Sequence, residues 1–337
     1  MFTTLARFRP DNFTLSLIAT VVLASVLPCH GWIKTVFADV TNLAIALLFF
    51  LHGAKLSRQA IVEGAGHWRL HLTVMASSFV LFPLLGLAVR FLPATIISPQ
   101  ITAGLLYMTL LPSTVQSSIA FTSVAGGNVP AAVCSASASN LIGIFLTPVL
   151  AAVFMGAHGR SGNELQAVEG VALQLLVPFL AGHFSRPLIG KWVDSHKTVL
   201  GFVDRGSILL VVYTAFSAAV VEGLWRKLSG MDLITVLVAD AAILAIALVI
   251  TTYAARALGF SKADEITIVF CGSKKSLASG VPMAGVLFPA AQVGVLIVPL
   301  MLFHQIQLMV CAVIARRYAS HQAAEVGLRP TLELAQP

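Results

Sequence analysis

The sequence predicts an all-α polytopic membrane protein: ten transmembrane helices in two inverted five-helix repeats, with the fourth and ninth helices broken. Three observations predict it. Of 337 residues, 58% are hydrophobic and only 10% are charged, with a mean hydropathy of +0.91, whereas soluble domains carry roughly 25% charged residues. The apolar sequence divides into ten segments, most of them close to the ~20 residues that a membrane-spanning helix needs. The fourth and ninth are both interrupted, and a pair of interrupted segments at corresponding positions of two halves is the mark of an inverted-repeat transporter.

Taken in order, segment 1 covers about Asn12–Leu27 and segment 2 about Ala38–Leu51. A polar stretch from Lys55 to Arg69 follows, then segment 3 at about Leu70–Phe91, with Pro83 in its second half. Segment 4, about Gln100–Ala125, is interrupted at Pro112 and by Ser113, Thr114, Gln116, Ser117 and Ser118. Gly126-Gly127-Asn128 reads as a turn, and segment 5 runs about Val129–Phe154. The glycine-bearing loop Gly156–Gln166 divides the chain into a first repeat, 12–155, and a second, 167–318. Segments 6, 7 and 8 cover about Val168–Pro187, Leu200–Val221 and Met231–Leu258. Segment 9, Asp264–Phe288, is broken around Cys271–Pro282, and segment 10 runs about Ala290–Tyr318. Residues 319–337 read as a disordered cytoplasmic tail.

The N-terminus imitates a signal peptide, with Arg7 and Arg9 before an apolar run, but it lacks a small-x-small cleavage site and is expected to stay as the first helix. Of the 21 Lys and Arg, ten spans with both termini cytoplasmic put fourteen inside and five outside, Lys34, Arg90, Arg160, Arg226 and Lys227; the remaining two are Lys274 and Lys275. That asymmetry is the positive-inside pattern, so the basic balance points to a membrane and not to nucleic acid. The four cysteines stand apart with no CxxC spacing and read as small core residues.

Lys274-Lys275 lies at membrane depth, where each lysine costs roughly 2.5–3.5 kcal/mol if it faces lipid. Gly272, Ser273, Ser276, Ser279, Gly280 and Pro282 around the pair let the helix open, and open backbone at this depth is tolerated only in packed protein or around a cavity. Segments 4 and 5 add Ser113, Thr114, Gln116, Ser117, Ser118, Ser135, Ser137, Ser139 and Asn140. Their oxygens suit a cation or a polar solute; equally, such residues pack helix against helix. Asp240, inside segment 8, reads either as a counter-ion or proton-relay group or as a face touching water. His183, His304, Gln305 and Gln307 are also at depth. No HExxH, GxSxG, Walker or dinucleotide-binding motif is present, so the expectation is no enzyme and no organic cofactor.

The runs Leu47-Leu48-Phe49-Phe50-Leu51-His52-Gly53-Ala54-Lys55-Leu56-Ser57, Gly126-Gly127-Asn128-Val129 and Cys271-Gly272-Ser273-Lys274-Lys275-Ser276-Leu277 resemble the bile acid:sodium symporter superfamily. They are closest to its bacterial symporter-like subgroup, related to sodium/bile acid cotransporter member seven. The resemblance spans nearly the whole chain. It implies a panel domain of segments 1, 2, 6 and 7 and a core domain of segments 3, 4, 5, 8, 9 and 10, with segments 4 and 9 crossing near mid-membrane, in a bacterial inner membrane. It places the founding branch's sodium-ligand positions at Ser117, Ser118 and Ser78, its helix-9 Glu at Phe270 and its helix-9 Gln at Lys274. Losing that carboxylate and adding ammonium groups opposes sodium: two like charges 4 Å apart repel by about 4 kcal/mol at an effective dielectric of 20, close to a thousandfold in affinity.

The resulting expectation is a secondary transporter of a small organic anion working by alternating access, with a lysine, Lys274 by preference, at the ion position. Sodium or a proton is the candidate coupling ion. The alternatives are a sodium-coupled symporter that uses Ser117 and Ser118, and a non-transporting membrane scaffold or sensor. The sequence does not fix the oligomeric state.

Overall fold

The computed structural model describes residues 12–55, 65–93, 96–156, 172–227 and 229–325, and among these every regular element is helical. The principal helices are α1 (Asn12–Val26), α2 (Gly31–Lys55), α3 (Trp68–Val89), α4 (Pro99–Thr109), α5 (Gln116–Val124) and α6 (Val129–Met155). They continue as α7 (Val177–Ser195), α8 (Lys197–Val221), α9 (Gly230–Ala257), α10 (Lys262–Gly272), α11 (Leu277–Leu287), α12 (Ala290–Leu296) and α13 (Val298–Glu325). Among the described residues, 6 stretches are long and apolar enough to cross a membrane: α2, α3, α6, α8, α9 and the run Ala290–His321.

Local chemistry sets the helix ends. Asn128 caps α6 by accepting from the Ala131 N–H at 3.1 Å, and Gly156 closes it with φ 63°, a left-handed turn that glycine adopts without Cβ strain. Ser229 and Asp232 form a reciprocal capping box at the start of α9. Ser261 caps α10 through the Asp264 N–H. Ser276 caps α11 through the Ser279 N–H.

Within α3, residues Ser77–Leu81 form a π-helical turn in which the Phe82 N–H reaches back five residues to the Ser77 carbonyl. The next donor in that register would be Pro83, which has no N–H. The Ser78 carbonyl is therefore released from the helix and open to another donor.

Two groups of helices pack around different seams. α2 lies along α7, and α8 contacts both α1 and α2. The α2–α7 contact is main chain on main chain: a Cβ on Gly53 would stand 1.9 Å from the Phe179 carbonyl oxygen, and a Cβ on Gly182 1.9 Å from that of Phe50. Elsewhere α9 packs on α10 and α13, and α5 on α6 and α10. α8 joins the two groups by lying against α11 and α12.

Several sequence expectations are corrected. α2 begins at Gly31, seven residues before the apolar run that defined segment 2, so Lys34 lies inside the helix. Pro187 does not end its helix; α7 carries it and continues to Ser195, as proline-bearing membrane helices can when neighbours satisfy the freed carbonyl. Pro282 likewise lies inside α11, and the ninth segment breaks earlier, at 273–276. α8 starts at Lys197, which moves Arg205 from a helix start to two turns inside. Asp204 then lies two turns inside a helix of spanning length as well. Residues 319–325 continue α13 and are not a disordered tail. Calls on 326–337, on Arg7 and Arg9, and on most of the Gly156–Gln166 loop lie outside the described residues.

Candidate functional site

Two helices stop in mid-course and resume: α4 gives way to α5 across residues 110–115, and α10 to α11 across 273–276. The interruptions touch, since the Ser276 N–H donates to the Pro112 carbonyl at 2.9 Å. Pro112 itself lies against α6, where a Cβ on Gly143 would come within 2.7 Å of its ring carbons.

Interrupting a helix frees backbone groups that must find partners in a dry interior, and side chains supply them. The carbonyls of Leu110, Ser113, Phe270, Cys271 and Gly272 accept respectively from Thr147 Oγ1 (2.9 Å), Asn140 Nδ2 (2.7 Å), Ser118 Oγ (3.0 Å), Ser113 Oγ (2.5 Å) and Ser77 Oγ (2.7 Å). The Ser113 N–H donates to Ser139 Oγ at 3.0 Å. Gln307 holds both backbone groups of Lys275, accepting from its N–H at 2.9 Å and donating to its carbonyl at 3.0 Å.

Lys274 and Lys275 are both fully buried, at 0% exposure. Lys274 Nζ donates to the Ser117 carbonyl at 2.9 Å and lies 4.1 Å from the Phe121 ring centroid. Lys275 Nζ donates to the Ser78 carbonyl at 2.8 Å and to that of Leu111 at 2.6 Å, over the Phe82 ring at 4.2 Å. The carbonyl that Pro83 leaves free is thus taken by Lys275. Adjacent residues of a helix would diverge by 100°, but both side chains leave a non-helical segment and enter the protein. Neither lysine is among the residues that line the cavity beside the breaks. Lys275 meets the Ser78 carbonyl and Lys274 that of Ser117, so the two lysines lie at different members of the Ser78, Ser117 and Ser118 set. Asp240 pairs with neither: it is fully buried, and neither carboxylate oxygen has a hydrogen-bond partner among the described residues.

A cavity of about 620 Å³ lies beside the crossing of the two breaks. Of the residues singled out from sequence, Thr114, Gln116, Ser117, Ser137, Asn140, Ser276, Ser279 and His304 line it. Ser78, Ser113, Ser118, Ser135, Ser139, Asp240, Ser273, Lys274 and Lys275 do not. Ser135 meets His71 Nδ1 at 2.6 Å, and Ser273 bonds back to the Val269 carbonyl at 2.6 Å, so these two serve the packing that was weighed against a site. Asn140 bridges both breaks, donating to the Ser113 carbonyl and accepting from Ser279 Oγ at 2.6 Å.

The facing wall comes from α2 and α8 and was missed: His52, Lys55, Asp204 and Arg205 line it. Lys55 forms an ion pair with Asp204, and His52 Nδ1 lies 2.8 Å from the Leu48 carbonyl. Asp204-Arg205 is a local charge pair at the head of an apolar run, but only the packing of α8 on α2 brings it to the cavity.

A sodium ion would need hard oxygen ligands and a compensating carboxylate. Here the Ser117 carbonyl is bound to Lys274, Ser118 Oγ is spent on Phe270, and Phe270 stands where the resemblance puts the carboxylate. The residues present do not fit sodium at those positions.

Interrupted helices meeting beside a polar-and-apolar cavity, among helices long and apolar enough to cross a bilayer, define a multi-pass membrane protein of the secondary-transporter class. The chain belongs to the SBF-like CPA transporter family, whose profile matches residues 11–320. It is 64% identical over 313 residues to an uncharacterized protein of Pseudomonas aeruginosa, covering 93% of this chain and 94% of that one. It is 58% identical over 308 residues to YfeH of Escherichia coli, described as a candidate symporter, covering 91% of this chain and 92% of that one. Sodium/bile acid cotransporter 7 of Danio rerio is 26% identical over 317 residues, covering 92% and 94%.

Proposed function

We propose that this protein carries a small organic anion across the bacterial inner membrane by alternating access, without sodium. Ten spans in two inverted five-helix repeats, 12–155 and 167–318, would place both termini in the cytoplasm. A panel of α1, α2, α7 and α8 would move against a core formed by the remaining helices. The seam between the two groups, crossed by α8, and the cavity beside it support that division.

One observation carries the choice of an anion. The carbonyls released at the breaks are occupied by side chains, while the starts of α5 and α11, Gln116 and Ser117 with Ser276 to Ser279, line the cavity. A helix start presents N–H donors and the positive end of its dipole, and two of them facing one cavity favour negative charge. The lysine pair supports independence from sodium, because each Nζ already supplies donors to carbonyls that a cation would otherwise use.

Uptake into proteoliposomes tests the reading. Anion uptake should proceed equally with and without a sodium gradient, and a strict sodium requirement would replace this reading with sodium-coupled symport. Failure to move any anion under either condition would leave a scaffold or sensor.

A further inference from the structure

His304, on α13, borders the cavity and is also wired to the second break. Gln307, one turn further along α13, is fully buried and clamps the Lys275 backbone. Its Oε1 accepts from the Lys275 N–H at 2.9 Å and its Nε2 donates to the Lys275 carbonyl at 3.0 Å. Turning the amide over would set donor against donor and oxygen against oxygen, so these two bonds fix its orientation. The same Nε2 lies 2.9 Å from His304 Nδ1. An amide nitrogen donates and does not accept, so Nδ1 is the acceptor and the neutral ring carries its hydrogen on Nε2. A proton added to the ring must take the Nδ1 lone pair, which leaves two donors facing each other.

We propose that His304 is a proton-binding site, and that a proton on its Nδ1 displaces the Gln307 amide and unclamps the Lys275 backbone at the break. The step forms one N–H bond, breaks no covalent bond and leaves the ring cationic. Gln307 then turns, offering Oε1 to the ring and losing the Lys275 N–H, or withdraws from both. Either way the non-helical segment 273–276 loses a support. Of the helices packed on α13, α9 carries Asp240 in its middle, with Asp232, Tyr253 and Arg256 nearer its ends. α4 carries Tyr107, whose hydroxyl is engaged by the Gly280 carbonyl at 2.6 Å, while α5, α11 and α12 carry no titratable or charged side chain. On α13 itself the next titratable side chain is Cys311, two turns away. Lys274 and Lys275 stand on the break, and His52, Lys55, Asp204 and Arg205 share the cavity lining with His304. With Lys55 paired to Asp204, these surroundings are weighted to positive charge and oppose a cation on His304. An anion in the cavity offsets that opposition, so proton and anion each favour the other's binding. On the transport reading, on which this step rests, the proton becomes the coupling ion; the proton site itself does not depend on it.

The test is hydrogen exchange of the full chain in nanodiscs, read at single-residue resolution with no anion present. The Lys275 amide is compared with the Ser113 amide of the first break, a ratio that cancels the intrinsic pH dependence of exchange. In wild type the ratio should rise at least about tenfold between about pH 8 and about pH 5, because exchange follows local opening and histidine charges in that range. His304→Asn, whose side-chain oxygen accepts from Gln307 but cannot charge, should hold the ratio low at both pH values. Gln307→Glu accepts from the Lys275 N–H and from the charged ring together, so it should keep the amide protected in acid. A flat ratio in wild type, or an acid rise that persists in both variants, overturns the proposal. Proteoliposomes without sodium supply the second readout: an inward proton gradient should drive anion uptake in wild type and not in His304→Asn. If the Lys275 amide responds as expected while no anion is taken up, the proton site stands and the transport reading falls. If anion is taken up while the amide ignores pH, the proton site falls and the transport reading stands. Uptake that ignores the proton gradient overturns the coupling.

Discussion

The Ser276 N–H donates to the Pro112 carbonyl at 2.9 Å, joining the two interrupted helices main chain to main chain. Residues 164 positions apart in the chain thereby share one hydrogen-bonded junction, and the side chains around it complete the pairing that each break disrupts.

Lys275 is expected to be structural as well as electrostatic. Lys275→Met keeps much of the volume but leaves the Ser78 and Leu111 carbonyls without their donor, whereas Lys274→Met strands only the Ser117 carbonyl. At about 1–3 kcal/mol per stranded buried group, Lys275→Met should be the more damaging. Thermal unfolding of purified protein checks the order, and equal or reversed losses would contradict it.

Sodium sensitivity should be installable. Replacing Lys274 by Gln and Phe270 by Glu removes a competing cation and supplies a carboxylate beside the Ser118 hydroxyl. The double variant should gain saturable thermal stabilisation by sodium chloride over potassium chloride, and wild type should show none. Millimolar sodium stabilisation of wild type would remove the reading of a lysine at the ion position.

Asn140 is expected to couple the breaks. Asn140→Ala removes the donor to the Ser113 carbonyl and the acceptor for Ser279 Oγ, a loss of about 1–3 kcal/mol. Transport should fall further than folded yield; if the two fall in parallel, Asn140 acts only in packing.

The α2–α7 contact should tolerate no added methyl. Gly53→Ala and Gly182→Ala each drive a Cβ into a backbone carbonyl, a clash that a side-chain rotation cannot relieve, at about 1–3 kcal/mol or more. The double variant should cost less than the sum, because one separation of the helices relieves both clashes. Full additivity in unfolding experiments would contradict this shared cause.

Much of the helical layout was legible because long apolar runs and glycine-proline punctuation are local signals. The break at 273–276 was legible from the lysine pair, whose burial demands non-lipid surroundings. Its position was not, because Pro282 looks like a breaker and yet fits inside α11. The cavity's second wall was illegible for a different reason. Lys55 and Asp204 lie 149 residues apart, and only the packing of α2 on α8 brings them together.

The completeness of the pairing at the breaks has a consequence for solvent exchange. Non-helical backbone is commonly the first to release its amide hydrogens, since exchange follows local opening. The N–H groups of Ser113, Lys275 and Ser276 donate respectively to Ser139 Oγ, Gln307 Oε1 and the Pro112 carbonyl, all within buried surroundings. Their deuterium uptake would therefore be as slow as that of the flanking helices, and absence of helix here does not mean looseness.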